Sequence, residues 1–127
     1  MKVTNNEIVS AVKAGAFIEI SNIELPSRVT LKLVELAMKC QTAVENFQKV
    51  HKTLMDKYTT KDEKGTIVIP KETEEILNEQ FNSLLAEEID LGVDKVVLPL
   101  TFRGEEIGYK AKTLIILNSF VEVKDTK

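Results

Sequence analysis

From Ser27 to Thr60 the chain carries neither glycine nor proline. Within that stretch, apolar or small residues recur at Leu33, Leu36, Cys40, Ala43, Phe47, Val50 and Leu54. The steps alternate between three and four, the spacing of a heptad seam on one helix. A flanking row follows at Ala37, Val44, His51 and Tyr58. Pro26 stands where a helix's first turn tolerates proline, because its missing amide hydrogen would be unpaired there anyway. The pattern predicts one helix of roughly 30 residues, ~45–50 Å long at 1.5 Å per residue. In a chain of 127 residues such a helix buries its whole stripe only if another helix lies along it.

The predicted partner follows directly. Lys61-Asp62-Glu63-Lys64-Gly65 reads as a polar turn, and Thr66-Ile67-Val68-Ile69 as a short β-branched strand. Pro70 then opens a second helix, with Glu72, Glu74 and Glu75 in its first turns where the helix dipole favours anions. Ile76, Leu77, Phe81, Leu84, Leu85 and Ile89 supply an apolar face at helical spacing. The two segments read as a long antiparallel helical hairpin. Residues 26–60 hold six basic and three acidic side chains, a net +3, whereas residues 71–94 hold one basic and eight acidic, a net −7. Opposite signs favour docking in register, although each exposed pair contributes little.

The flanks carry shorter signals. Thr4-x-x-Glu7 is a capping box ahead of Ile8, Val9, Ala11 and Val12, with Gly15 as the stop. Phe17-Ile18-Glu19-Ile20 is β-branched and precedes Ser21-Asn22, so it reads as a brief extended piece or turn. Val93 to Phe102 reads as a strand that Pro99 restricts to an edge or bulge. Arg103-Gly104-Glu105-Glu106 is a turn. Tyr109 to Val123 suits a buried strand or a buried helix on composition, and its length and spacing favour helix. Lys124 to Lys127 is a polar tail. The expected fold is mainly α (α+β): a single domain over 1–127 with a helical-hairpin core at 26–90. Short N- and C-terminal helices, one or two short β segments and a C-terminal α/β segment at 93–123 complete it.

The same residues narrow the chemistry. His51 is the lone histidine and Cys40 the lone cysteine, which removes histidine-based metal clusters, cysteine zinc sites, disulfides and most triads. His51 reads as a partly exposed helix residue, and Cys40 as a small hydrophobe on the seam. The turn at 60–71 resembles a calcium loop only through Gly65, Ile67 and Asp62. Thr60, Lys64 and Lys71 occupy ligand positions that call for carboxylate oxygens, the twelfth above all. No phosphate loop, dinucleotide turn or nucleophile elbow is present. A net charge of −3 and a pI near 5.3 disfavour nucleic acid as a partner. No apolar run approaches the ~20 residues of a membrane span. Polar residues from Thr4 to Glu7 stand where the apolar region of a secretory signal would begin. These observations lead us to expect no catalytic residue, no cofactor and no metal. What remains are two surfaces: the seam Leu33, Leu36, Cys40, Phe47, Val50 and Leu54, and the acidic helix carrying Glu79, Glu87, Glu88 and Asp90.

Taken in order, Glu24-Leu25-Pro26-Ser27-Arg28-Val29, the long helix, Leu54-Met55-Asp56-Lys57-Tyr58, Lys61-Asp62-Glu63-Lys64-Gly65, a short Ile-Val-Ile piece and Leu84-Leu85-Ala86-Glu87-Glu88-Ile89 carry a likeness. The chain resembles a family of small uncharacterised proteins, a domain of unknown function, encoded by tailed bacteriophages and prophages of Gram-positive bacteria. The resemblance implies a phage origin and a helical last segment, and it transfers no catalytic residue. The function expected is non-enzymatic, through contacts with a protein partner: a second copy, a phage structural protein or a host protein. Virion or tail morphogenesis, or assembly as an accessory factor, leads. An inhibitor of a host defence or enzyme, bound through the acidic helix, is the alternative. A small enzyme using carboxylates with Tyr58 or Tyr109 is the third. The expected location is the host cytoplasm or the virion.

Overall fold

The structure, a computed structural model, describes residues 1–124; the rest of the expected polar tail, 125–127, lies outside the described residues. The chain opens with β1 (Lys2–Thr4), α1 (Asn5–Lys13) and α2 (Ala16–Ser21), then runs through α3 (Ser27–Tyr58). A β-hairpin of β2 (Thr60–Lys61) and β3 (Ile67–Val68) leads into α4 (Lys71–Ala86) and β4 (Glu88–Asp90). Beyond these come β5 (Val96–Leu98), β6 (Thr101–Phe102), β7 (Glu105–Glu106), α5 (Ala111–Ile116) and β8 (Val121–Val123). The mainly helical α+β class holds, but the one or two β segments expected become eight short strands in four two-stranded sheets among the described residues.

Local chemistry explains the helices. The Thr4 hydroxyl accepts from the Glu7 amide while the Glu7 carboxylate accepts from the Thr4 amide, a complete capping box on α1. Gly15, at φ +70°, takes the left-handed turn that separates α1 from α2. The extended piece expected at Phe17–Ile20 is instead α2. Phe17 and Ile20, three apart, bury on one face, and the Ser21 hydroxyl donates back to the Phe17 carbonyl. α3 spans 32 residues without a break.

The seam divides. Leu33, Leu36, Cys40, Ala43, Val44 and Phe47 are buried, but Val50 is 46% exposed and Leu54 only half-buried. Val50 is therefore not a core residue. The reason lies in what covers the stripe. Up to Phe47 it packs against α1, α2 and β5, whereas beyond that point α4 is its main neighbour, and α4 buries only Leu77. Phe81 of α4 meets Phe47 and His51, and the Thr73 hydroxyl donates to the Tyr58 carbonyl at 2.9 Å. Among the described residues no ion pair links α3 to α4, so their opposite charges act only as a diffuse field.

Both ends of the chain meet on the first half of α3. Ile8, Phe17 and Ile20 come from the N-terminal side, and Leu98, Leu117 and Phe120 from the C-terminal side. Phe17 and Phe120 close the contact edge to face, with centroids 5.6 Å apart. β5 pairs in parallel with β8, Val96 opposite Val121 and Leu98 opposite Val123. The helix favoured over Tyr109–Val123, and implied by the family resemblance, thus holds only for Ala111–Ile116. Val121–Val123 is drawn into a strand because Val96–Leu98 presents unpaired backbone beside it. The expected strand over Val93–Phe102 breaks at Pro99 into β5 and β6. β6 and β7 turn on Arg103 and Gly104, both at positive φ, as a two-residue hairpin requires.

Two consequences are measurable. Leu36→Ala, fully buried beside the terminal segments, is expected to destabilise by ~2–5 kcal/mol, and Val50→Ala by less than about 1 kcal/mol, in urea unfolding. Glu7 also accepts from the Ser119 hydroxyl, tying the first helix to the last segment. That bond, with the Thr4 amide, holds the Glu7 carboxyl below its usual value. A depressed folded value gives stability that is present above the unfolded value and lost as pH falls through the folded one. Ser119→Ala is therefore expected to flatten the stability-versus-pH profile below about pH 4.3, read as unfolding midpoints across the acid range.

Candidate functional site

The acidic residues singled out from sequence do not share a helix. α4 ends at Ala86, so Glu87 is its cap and Glu88 and Asp90 lie in β4. The cause is Asn5, a buried residue at the start of α1. Its side-chain Nδ2 donates to the Leu84 carbonyl at 2.8 Å, and its backbone amide donates to the Glu87 carbonyl at 3.0 Å. Two carbonyls at the end of α4 are satisfied from outside the helix, and the chain leaves to pair with β1. Lys2, Val3 and Thr4 then lie opposite Asp90, Ile89 and Glu88. Ile89 has the spacing of the α4 stripe but serves as a strand residue.

This junction opens a groove of about 430 Å³, within the size range of ligand clefts. Its apolar lining comes from Ala43, Phe47 and Val50 of α3 with Leu84, Ile89 and Leu91. Lys39, Thr42 and Asn46 of α3 add polar groups, as do Glu87, Asp90 and Asn5. Of the predicted surface, Glu87 and Asp90 are brought together at this groove, while Glu79 and Glu88, both exposed, are not among its lining residues. Of the predicted seam, Phe47 and Val50 contribute; Leu33, Leu36 and Cys40 lie in the core, and Leu54 lines no part of the groove. Asp90 is partly committed: its carboxylate accepts from the Gly92 amide at 2.9 Å and lies 3.6 Å from the Met1 amino group. The Gly92 amide first, and that amino group second, hold its carboxyl below the usual value. Asn5, Lys39, Thr42 and Asn46 were not singled out from sequence. The three α3 residues share a helix face at steps of three and four, a legible signal, whereas Asn5 is joined to them only by tertiary contact.

The remaining chemistry-bearing side chains are absorbed structurally. Burial pushes the Cys40 thiol up to about 12. The Tyr109 hydroxyl donates to the Pro99 carbonyl at 2.7 Å and is likewise raised to about 12 by burial. His51 packs against Phe81 with the rings tilted by 42° and their centroids 4.7 Å apart. Asp62 accepts from the Lys64 and Thr66 amides, each at 2.9 Å, and so closes the β2–β3 turn that superficially resembles a calcium loop. Among the described residues no group of three or more His, Cys, Asp or Glu is placed to hold a metal ion, and no helix is long and apolar enough to cross a membrane. Comparison with protein-family models, curated proteins and solved structures returns no match for this chain.

A thiol held this high is protonated at neutral pH. Cys40 is expected to resist a thiol-specific reagent in the native protein and to react promptly in denaturant. Native labelling at the denatured rate would contradict its placement.

Proposed function

We propose that this chain is a non-enzymatic phage protein that acts through protein–protein contacts, as a virion or tail morphogenesis component or an assembly accessory factor. The phage assignment rests on the sequence resemblance. The mode of action rests on one structural observation: residues 48–80 place no side chain in the core cluster. In this reading the second half of α3, the β-hairpin and α4 form an antiparallel helical hairpin that serves as an arm. Val50, Ile67, Val68, Ile69 and Ile76 are exposed along it, more apolar surface than an inert projection needs. The groove at the base of the arm gives an anchor, with an apolar floor and acidic residues at its edge, suited to a partner segment that pairs an apolar side chain with a basic one.

A second reading is a phage-encoded inhibitor that docks on a host protein through Glu87 and Asp90, which line the groove, and Glu88, which is exposed outside it. Purified virions and host pull-downs separate the two. The leading reading expects the protein in virions or in assembly intermediates. Ile67→Ser with Ile69→Ser is expected to lower that association about tenfold, equivalent to ~1.4 kcal/mol, with folding unchanged. Absence from particles and normal assembly without the protein would overturn it. Capture of a host protein that is lost on Glu87→Lys with Glu88→Lys would establish the inhibitor instead.

A further inference from the structure

β4 has one edge occupied and one edge open. In an antiparallel pair, residues that exchange both backbone hydrogen bonds with the partner alternate with residues whose amide and carbonyl point away from it. The Leu91 amide donates to the Met1 carbonyl and the Asn5 amide to the Glu87 carbonyl, both at 3.0 Å. Those bonds set the phase. With Val3 opposite Ile89 and Lys2 opposite Asp90, Ile89 bonds to β1, while the amides and carbonyls of Glu88 and Asp90 point to the far side. Among the described residues no further strand lies there, because the sheet consists of β1 and β4. On β1 the outward Thr4 amide is taken by the Glu7 carboxylate, so the two edges differ. Glu88 and Asp90 are exposed, and a row of outward backbone groups on an exposed edge is a template for another chain.

The side chains along this edge select the strand that fits it. Successive strand residues alternate faces. Ile89 shares the groove with Phe47 and Val50 of α3, and Glu88 and Asp90 project from the opposite face. Among the described residues Glu88 makes no ion pair. Lys39 is the cation of the groove lining, set against Glu87 and Asp90, so with Glu88 the balance at the edge is acidic. The occupied edge shows a pattern that β4 accepts: apolar Val3 beside Ile89 and basic Lys2 beside Asp90. We propose that the open edge of β4 takes an extended segment of a partner protein as an added antiparallel strand, with an apolar residue beside Ile89 over the groove and basic residues beside Glu88 and Asp90. Backbone pairing supplies the affinity of such a strand, and its alternate side chains supply the choice of segment. Opposite charges directly across a strand pair attract, whereas like charges repel, so an acidic edge admits a basic strand and turns away an acidic one. Strand addition here rests on the reading of the groove as an anchor for a partner segment, and it names that segment.

Titration of an acetylated, amidated heptapeptide, Ser-Thr-Lys-Val-Lys-Thr-Ser, into the isotope-labelled full chain tests it by nuclear magnetic resonance. Saturable shifts are expected at Glu88 and Asp90, whose amides exchange with solvent several-fold more slowly at saturation. The Ile89 amide, already bonded to β1, is expected to keep its rate. N-methylation of the two lysine amides removes the donors that the edge carbonyls accept and is expected to abolish binding. N-methylation of the valine amide, which points away from β4, is expected to leave binding intact, and neither comparison needs a protein variant. Glutamate in place of both lysines, or Glu88→Lys in the protein, is expected to weaken binding about tenfold. Equal binding by the two N-methylated peptides, unchanged exchange at Glu88 and Asp90, or no binding of the parent peptide overturns strand addition. A chain present in virions that ignores the peptide overturns strand addition and leaves the proposed function standing. A chain absent from virions and dispensable for assembly that takes the peptide does the reverse.

Discussion

The structure depends on one act of burial: side chains from both ends of the chain close over the first half of α3. Leu33, Leu36 and Cys40 are enclosed by Ile8, Phe17 and Ile20 from one side of the sequence and Leu98, Leu117 and Phe120 from the other. Contacts this distant in sequence carry a loop-closure cost before they stabilise anything. Here the rigid α3 and the parallel β5–β8 pair offset that cost by fixing where the two ends arrive. Phe17 against Phe120 completes the enclosure.

Everything beyond Phe47 follows from that placement. The terminal segments do not cover all 32 residues of the helix, so the far half of α3 is left mainly to α4. Two amphipathic helices and a tight β-hairpin bury little between themselves, and Leu77 is the lone buried residue of α4. The end of α4 is anchored where Asn5 takes the Leu84 and Glu87 carbonyls and β4 pairs with β1. That anchor also shapes the groove. The groove and the fold therefore share a structural cause: the point at which α4 is stopped.

Strong local signals were legible in the sequence. The capping box of α1, the unbroken run of α3 and Pro70 ahead of α4 each act through nearby backbone, and the structure contains all three. Signals that act through distant partners were not. Ile89 fits the α4 stripe by spacing, yet Val3 claims it as a strand neighbour. Val121–Val123 has the composition of a helix as much as of a strand until Val96–Leu98 lies beside it. α2 is six residues long, too short for a period to show. The seam was visible, but its division at Phe47 depends on which neighbours arrive. Of the acidic surface, the residues were legible, but that only Glu87 and Asp90 would share a groove with Phe47 was not, because that arrangement passes through Asn5.

α3 is one continuous helix with two environments, a core half up to Phe47 and a sparsely covered half beyond it. Native-state hydrogen exchange along α3 tests it most directly, since amides exchange through local or global opening according to what covers them. Amides from Leu36 to Phe47 are expected to exchange only by global unfolding, while those from Val50 to Tyr58, together with the first turns of α4, exchange faster through a smaller opening. Uniform protection from Leu36 to Tyr58 would contradict it.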